Sequence, residues 1–289
     1  MNMHDIQISL LRGVCQIPAY VAFEKDFFKD EGINLQIAIE PTAWQVPHKL
    51  ETDLSQFAIF PWTRVAAAEE QGIPLVTVAG SGHEEAAIIV RKGMNIKDVK
   101  SVAIPQRGGM KDLTAMGLLE SLGWQDIEQI RQPSGDGAII AFFGMGTDAA
   151  SMIEPYATML EEMGVGRIVK RTGDIWPGAP GCSLSTTWDF VKREPDIVYA
   201  MVKAFVRGHK YVKQNPDEVC DIARKYIGVN PGFIRAALKN NHPDIDAIRS
   251  EKSMNKILSL MIKLGYIKKM PSNYLTLEYV DRVKQDLGI

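Results

Sequence analysis

The 289-residue chain is poor in several features, and each shortage excludes a class of protein. Its formal net charge is −2 and it has no run of like charges, so nothing indicates binding to nucleic acid or to an anionic membrane. No stretch of about 18 apolar residues occurs, which argues against a membrane-spanning helix. The three cysteines, Cys15, Cys182 and Cys220, lie far apart and are odd in number. Their spacing therefore predicts neither a metal site nor a full disulfide framework.

The N-terminus lacks the pattern of a secretory signal. Residues 1–5 are polar and lead directly into an apolar strand pattern, whereas a signal needs a basic stretch and an apolar segment of about 7 residues or more. We expect a cytoplasmic protein or, if a leader has been removed, a periplasmic or lipid-anchored one.

Short apolar runs alternate with helical patterns through the first two thirds of the chain. The runs do not alternate with polar residues, which predicts strands covered on both faces, as in an α/β fold. The predicted strands are Ile6–Leu10, Ile33–Ile39, Gln56–Phe60, Leu75–Ala79, Ala86–Val90, Val102–Ile104, Ile127–Arg131 and Ala149–Ile153. The predicted helices between them include Ala19–Lys29, Trp62–Gln71, Lys111–Ser121 and Gly137–Phe143. From Pro195 onward the spacing predicts helices alone.

A second strand–helix–strand series begins at Ser101, after a break at residues 80–82. We interpret it as a lobe inserted into another lobe, with residues 1–84 and 187–289 forming lobe I and residues 85–186 forming lobe II. The chain would cross between them near Gly80–Glu85 and near Gly181–Thr187. Two crossings between two lobes predict a hinge with a cleft that closes on a ligand.

The loop after the first strand carries Cys15 and Gln16. In open parallel sheets, ligands bind at the carboxyl ends of the strands. Gln16 is suited to orienting a ligand. Cys15 is either a nucleophile, whose thiolate would be favoured by the N-terminus of the next helix, or a buried pocket-wall residue. We expect Cys182 and Cys220 to be structural.

Two tryptophans follow the second and third predicted strands. Trp44 and Trp62 either sandwich a flat ligand or pack at the lobe interface. Thr42 is a further polar group for orienting a ligand. Thr63 either caps the following helix or donates to a ligand.

Three segments of lobe II or of the crossings are candidates for ligand contacts. Arg107, Gly108 and Gly109 lie in a strand-to-helix loop that either binds an anion or is an ordinary turn; the Gly-Lys-Ser/Thr end of a P-loop is missing. Glu154 either accepts from a ligand N–H or caps a helix. The crossing residues 83–85, His-Glu-Glu, either face the ligand or are solvated.

The segment Pro18–Ile33 is similar to the N-terminal signature of the periplasmic solute-binding proteins of ABC importers, in particular the group for sulfonates, nitrate and thiamine precursors. Gly72-Ile73-Pro74, Glu154-Pro155-Tyr156 and the helix Lys203–Asn215 also resemble that family. The resemblance implies a two-lobed periplasmic binding protein type II fold with the C-terminal helices on lobe I. It further implies a monomer that uses no cofactor, binds its ligand between the lobes and delivers it to an ABC permease. Thr52–Gln56 departs from the family pattern, so we expect a pocket that differs from a simple sulfonate site.

Two enzymes on the same fold offer an alternative. Cys15-Gln16-Ile17-Pro18 resembles the nucleophile segment of a bacterial aryl-sulfinate desulfinase, and His48 could stand for its histidine, but Gln56 falls where its arginine would be. The fungal thiamine-pyrimidine synthase has a cysteine-rich run where this chain has Cys182 alone. The leading hypothesis is therefore capture of a small organic ligand, with a flat ring favoured over nitrate. The alternatives are a cytoplasmic enzyme that uses Cys15, and a ligand sensor that docks on another protein.

Overall fold

The computed structural model describes residues 3–107, 110–132, 135–241 and 243–289. Its strands are β1 His4–Leu10, β2 Ile33–Ile39, β3 Phe57–Pro61, β4 Leu75–Gly80, β5 Ala86–Arg91, β6 Ser101–Pro105, β7 Glu128–Gln132, β8 Ala149–Ile153, β9 Gly166–Arg171 and β10 Cys182–Thr187. The helices are α1 Ile17–Glu24, α2 Phe27–Asp30, α3 Val46–Glu51, α4 Trp62–Ala68, α5 Met110–Leu122, α6 Gly135–Phe143, α7 Tyr156–Glu162, α8 Trp188–Arg193, α9 Pro195–Gln214, α10 Pro216–Ile227, α11 Pro231–Leu238, α12 Glu251–Lys263 and α13 Glu278–Leu287.

The strands form two five-stranded sheets. The first has the order β2-β1-β3-β10-β4, with β10 antiparallel to both of its neighbours. The second has the order β7-β6-β8-β5-β9, with β5 antiparallel to β8 and β9. Several strands are completely buried, as the uninterrupted apolar runs predict, because helices cover both faces. The predicted α/β class with two units is therefore confirmed.

The chain passes to the second sheet between β4 and β5 and returns between β9 and β10. The return crossing therefore occupies residues 172–181, earlier than the sequence placed it. The strand β10, at residues 182–187, pairs with β3 and β4 of the first sheet. The division into lobes at residues 84/85 and 186/187 stays a prediction, and this pairing places the end of the predicted lobe II in the first sheet.

The long helix α9 packs closely against α1, next to the first sheet. A Cβ atom built on Gly208 would lie 2.2 Å from the carbonyl oxygen of Pro18, so only glycine permits this approach of the two helices. The apolar faces of α9, α10 and α13 join the core that also holds β1 and α1. The C-terminal helices thus lie on the side of the first sheet, as the resemblance implied.

Two predicted helices are shorter in the structure. The predicted helix Ala19–Lys29 is divided into α1 and α2, because Asp26 adopts the left-handed conformation with φ 57°. Aspartate is among the residues that tolerate the left-handed region of backbone conformation. The pattern of apolar residues around Asp26 does not indicate a break in the helix. The predicted helix Trp62–Gln71 ends as a helix at Ala68 and continues as one turn of 3₁₀ helix.

Candidate functional site

Loops at the carboxyl ends of β1 and β8 meet between the two sheets. The backbone N–H of Val14, in the loop after β1, donates to the carbonyl oxygen of Glu154, directly after β8, at 3.3 Å. Gly13 lies beside the same strand end, where a Cβ atom would come within 3.5 Å of Ile153 Cδ1. The edge of each sheet at which α/β proteins bind ligands therefore faces the other sheet.

Cys15 and Gln16 form a 3₁₀ turn in front of α1, and both are buried. The amide oxygen of Gln16 accepts from the backbone N–H of Leu11 at 3.2 Å, and its Nε2 donates to Cys15 Sγ at 3.2 Å. Ser81, in the first crossing, donates its hydroxyl proton to the carbonyl oxygen of Cys15. These contacts fix both side chains within the protein in this conformation, and the predicted contact of Gln16 with a ligand stays a prediction.

Cys15 belongs to a cluster that no sequence spacing indicated. Its Sγ, the Sγ of Cys182 and a carboxylate oxygen of Glu85 all lie within 4.8 Å of one another. Glu85 Oε1 accepts from the backbone N–H of Cys182 at 2.6 Å, and Glu85 Oε2 lies 3.5 Å from Cys182 Sγ. The cluster joins the loop after β1 to the first crossing and to the start of β10, where the chain returns to the first sheet.

Burial raises the pKa of Cys15 above the ordinary thiol value of 9.0. The hydrogen bond with Cys182 opposes this rise, whereas the negative charge of Glu85 adds to it. Burial also raises the pKa of Cys182, well above 9.0. Both thiols are therefore protonated near neutral pH. The reactive thiolate that the nucleophile hypothesis needs is disfavoured, since loss of solvent outweighs any help from the N-terminus of α1.

The two tryptophans lie in different environments. Trp62 is 0 % exposed, donates from Nε1 to the carbonyl oxygen of Pro180 at 2.9 Å and stacks on Tyr274, with 5.9 Å between ring centroids. This is the packing alternative for Trp62, which offers no surface to a ligand in this conformation. Trp44 is 53 % exposed and follows Thr42, whose Oγ1 accepts from the Trp44 backbone N–H at 3.3 Å. Trp44 thus remains available to a ligand, and Thr42 acts as a cap.

Arg107 lies at the entrance of the predicted anion loop. Its guanidinium group donates to the carbonyl oxygen of Leu264 at 2.8 Å and lies over the ring of Tyr266, 5.2 Å from the centroid. Arg107 therefore bridges from the second sheet to the segment after α12. The other two predicted members of this loop, Gly108 and Gly109, lie outside the described residues.

Glu154 is buried and fully engaged as a cap and an ion-pair partner. Its carboxylate accepts from the backbone N–H and the hydroxyl of Thr158, at 3.0 and 2.8 Å, at the start of α7. Arg171 donates to Glu154 Oε1 at 2.5 Å. The geometry matches the capping alternative for this residue, and the ion pair to Arg171 was not foreseen.

The remaining sequence candidates differ in their surroundings. His48, the candidate histidine of the enzyme alternative, is exposed on α3 and lies 3.5 Å from Glu51, whereas Cys15 is buried. The crossing carboxylates are held by backbone rather than by solvent: Glu84 accepts from the N–H of Gly178 at 2.6 Å, and Glu85 from that of Cys182. Glu84 and Glu85 are half-buried, and their hydrogen bonds tie the first crossing to Gly178 of the return crossing and to the start of β10.

Arg64, on α4, is a further candidate site residue that sequence reasoning missed. Its Nε is buried and, among the described residues, has no hydrogen-bond partner. Burial lowers the pKa of Arg64, and the charge of Asp112 opposes that change. Asp112, on α5, accepts from Arg131 at 2.7 Å and from the hydroxyl of Tyr266. Arg64 follows Trp62 and Thr63 in the loop-to-helix transition after β3, and that position is the signal that could have identified it.

Apolar side chains pack directly across the cleft between α4, α5 and α12. This cluster comprises Trp62, Ala66, Leu113, Trp176, Ala179, Met254, Ile257, Leu258, Met261 and Ile267. A small pocket is lined by residues of both crossings, of the second sheet and of α5, including Glu85, Gly181, Ile153 and Thr114. The structure thus represents a closed arrangement of the two sheets.

Comparison with known proteins places this architecture in a family. Residues 2–226 match the family model described as the NMT1-like family. The chain belongs to the NMT1-like family. This match covers both sheets, both crossings and α9, so Cys15, Arg64 and Glu85 lie within the family region, whereas the segment that contacts Arg107, at Leu264 and Tyr266, lies beyond it.

Individual relatives of this NMT1-like protein agree with the assignment. It is 22 % identical over 283 residues to the putative binding protein YtlA of Bacillus subtilis (strain 168), covering 89 % of this chain and 83 % of that protein. The ligand-binding component of an ABC-type import system from Staphylococcus aureus, solved with zinc bound, superposes with a TM-score of 0.84 at 16 % identity, covering 97 % of this chain and 99 % of that one. The periplasmic nitrate-binding protein NrtA of Synechocystis PCC 6803 superposes with a TM-score of 0.83 at 15 % identity, covering 99 % and 89 %.

These findings confirm the family relationship and the fold that the sequence resemblance implied. At such low identity, the superpositions establish the fold of this NMT1-like protein and leave its ligand open. Within the described residues, no helix combines the length and hydropathy that are needed to cross a bilayer.

Proposed function

We propose that this chain is the solute-binding component of an ABC import system and that it captures a small organic ligand between its two sheets. The ligand is an aromatic or heterocyclic ring that bears an anionic group. An ABC permease receives it, and the site of action is outside the cytoplasmic membrane. Membership of the NMT1-like family and the titles of its structural relatives support this role.

The observation that carries the proposal is the contact of the two strand ends. The hydrogen bond from Val14 to Glu154 joins the carboxyl end of β1 to that of β8, in two different sheets. Loops at strand ends of this kind provide the polar groups of ligand sites in α/β proteins. Movement about the two crossings would separate these ends and admit a ligand.

Two arginines favour an anionic group on the ligand. The Nε of Arg64 is buried and has no hydrogen-bond partner among the described residues, so it would be available to an anion once the two sheets separate. Arg107 reaches across from the second sheet and could exchange its bond to the Leu264 carbonyl for a stronger charge-assisted one. The exposed ring of Trp44 offers a stacking surface for the flat part of the ligand.

The proposal is tested by thermal unfolding and isothermal titration calorimetry with a panel of ligands. The panel contains an aromatic carboxylate, an aromatic sulfonate, an aliphatic sulfonate, nitrate and a neutral heterocycle. We expect saturable binding of a ring-bearing anion with a rise in the melting temperature, because a ligand that binds only the folded state stabilises it. Absence of any stabilisation across the panel would contradict the proposal.

Matched arginine variants separate a site contact from a general charge effect. Arg64→Gln should weaken binding of the anion, whereas Arg193→Gln should leave it unchanged, because Arg193 is exposed and pairs with Asp53 at 3.4 Å. Equal loss of affinity in both variants would refute the assigned role of Arg64. The permease partner is tested by ligand-stimulated ATP hydrolysis of the reconstituted transporter.

A further inference from the structure

Two thiols and a carboxylate converge at the base of the hinge, although they lie far apart in the sequence. Cys15 Sγ, Cys182 Sγ and a Glu85 oxygen lie within 4.8 Å of one another, and all three residues are largely or fully shielded from solvent. Among the described residues, this is the group of His, Cys, Asp and Glu whose ligand atoms come close enough to hold a metal ion.

One distance within the cluster matches the separation of two ligands on a tetrahedral ion. Zinc binds thiolate at about 2.3 Å and carboxylate oxygen at about 2.0 Å, so sulfur and oxygen ligands lie about 3.5 Å apart at the tetrahedral angle. The observed distance between Cys182 Sγ and Glu85 Oε2 is 3.5 Å. Two thiolates and one carboxylate also leave a fourth position for water or for a ligand atom.

Neighbouring groups hold the three side chains in place. The backbone N–H of Cys182 binds Glu85 Oε1 at 2.6 Å and leaves Oε2 directed to the sulfur atom. Gln16 Nε2 donates to Cys15 Sγ at 3.2 Å and would stabilise a thiolate there. Gly181 leaves room for the Glu85 carboxylate in this position, since a Cβ atom on residue 181 would lie 2.2 Å from the carboxylate carbon. Outer contacts of this kind are typical of built metal sites.

We propose that Cys15, Cys182 and Glu85 bind one thiophilic divalent cation of the zinc class, which displaces the two thiol protons to solvent, and that water or a ligand atom takes the fourth position. The ion would link the loop after β1 to the first crossing and to the start of β10, and would thereby favour the closed arrangement of the sheets. This inference rests on the donors of this chain and is independent of the organic ligand proposed above.

The test uses the whole reduced protein, prepared with a phosphine reductant and freed of metal. Cadmium is added, and the ultraviolet charge-transfer absorbance of the cadmium–thiolate bond is recorded; zinc affinity is measured by competition with a chromophoric chelator. We expect one metal per chain, with the absorbance of two thiolates. Absence of saturable 1:1 binding, or an absorbance without thiolate character, would overturn the proposal.

The third cysteine provides the matched control. Cys220, on α10, is buried, and its thiol contacts the carbonyl oxygen of Pro216 at 3.0 Å, away from the cluster. Cys220→Ser should retain both the stoichiometry and the absorbance. Cys15→Ser and Cys182→Ser should each halve the thiolate absorbance and weaken zinc by at least about 100-fold, and Glu85→Gln by at least about 10-fold. If the two cysteine variants bind like the wild type, the assignment is wrong; if they do not fold, the absorbance of the wild type and of Cys220→Ser still decides it.

Discussion

Gly208 allows α9 to rest on the first turn of α1, and replacing it with alanine should destabilise the protein. Alanine in a helix interior normally stabilises by about 1 kcal/mol relative to glycine. Here the added Cβ atom would lie 2.2 Å from the carbonyl oxygen of Pro18 and 3.0 Å from the Cβ atom of Ala22. The structure therefore predicts the opposite sign from helix propensity.

The magnitude follows from the separation that the new atom requires. Real Cβ atoms essentially never approach another heavy atom closer than 3.0 Å, so α1 and α9 must move apart by about 0.8 Å. The obstacle is a backbone carbonyl, which cannot rotate away as a flexible side chain can. Overpacking of a well-packed core costs about 1–3 kcal/mol, and we expect a net loss of about 2 kcal/mol for Gly208→Ala.

The measurement is thermal unfolding, followed by circular dichroism and by scanning calorimetry. A loss of about 2 kcal/mol corresponds to a fall of about 4–8 °C in the melting temperature for a chain of this size class. The control is Gly232→Ala on α11, where the residue is exposed and the new Cβ atom would meet only the Asn230 side-chain oxygen, at 3.2 Å. That variant should stay within about 0.5 kcal/mol of the wild type. A melting temperature for Gly208→Ala equal to or above that of the wild type would refute the packing argument.

Three further predictions address a buried ion pair, a buried histidine and the two tryptophans. Glu154→Gln should lower the free energy of unfolding by about 1–3 kcal/mol, because it removes the charge that pairs with the half-buried Arg171; denaturant unfolding measures it, and an unchanged midpoint would contradict it. Burial lowers the pKa of His209 below 6.5, although its hydrogen bond to a backbone carbonyl opposes the shift. The unfolded chain therefore binds the proton more readily than the folded chain. The free energy of unfolding should decline as the pH falls below about 6.5, and the contribution of His209 should become constant once the pH is below its folded-state pKa. His209→Gln should flatten that part of the pH profile of the melting temperature, and an unaltered profile would exclude this histidine as its source. Trp62→Ala should lower the free energy of unfolding by about 3–5 kcal/mol, because the Trp62 ring is fully buried. Trp44→Ala should leave the free energy of unfolding nearly unchanged and reduce only the affinity for the ligand. Calorimetry of both variants with the ring-bearing anion checks this pair, and a large loss of stability in Trp44→Ala would count against it.

The elements of the fold could be predicted closely from local patterns. The strands Ile33–Ile39 and Ala149–Ile153 have the predicted bounds, because a short apolar run between turn residues marks a covered strand. The break between α1 and α2 could not be predicted, because it depends on the left-handed backbone of Asp26 within an otherwise helical pattern. The place of β10 in the first sheet was also missed, since strand pairing between distant segments leaves no local signal.

The structure shows the surroundings of the predicted site residues, and their contacts with a ligand stay predictions. The loop with Cys15 and the strand end at Glu154 do face each other, as the rule for parallel sheets implies. Trp62 and Glu154, by contrast, use their polar groups within the protein, and whether a side chain faces a cleft or a core depends on its neighbours in space. Arg64 was overlooked for the same reason, because the burial of its Nε without a partner depends on its neighbours in space.

The sequence by itself determined the alternation of strands and helices, the insertion of one series in another and the family resemblance, because each of these is encoded in local periodicity or in a continuous motif. Only the tertiary structure decided which chemical groups meet. Glu85 and Cys182 are 97 residues apart, and they come together because the chain crosses between the sheets twice at the same place. The three cysteines gave no metal spacing along the chain, whereas the fold places two of them beside a carboxylate. A ligand site is defined by distances in space, and those distances are fixed only once the two crossings have brought the sheets together.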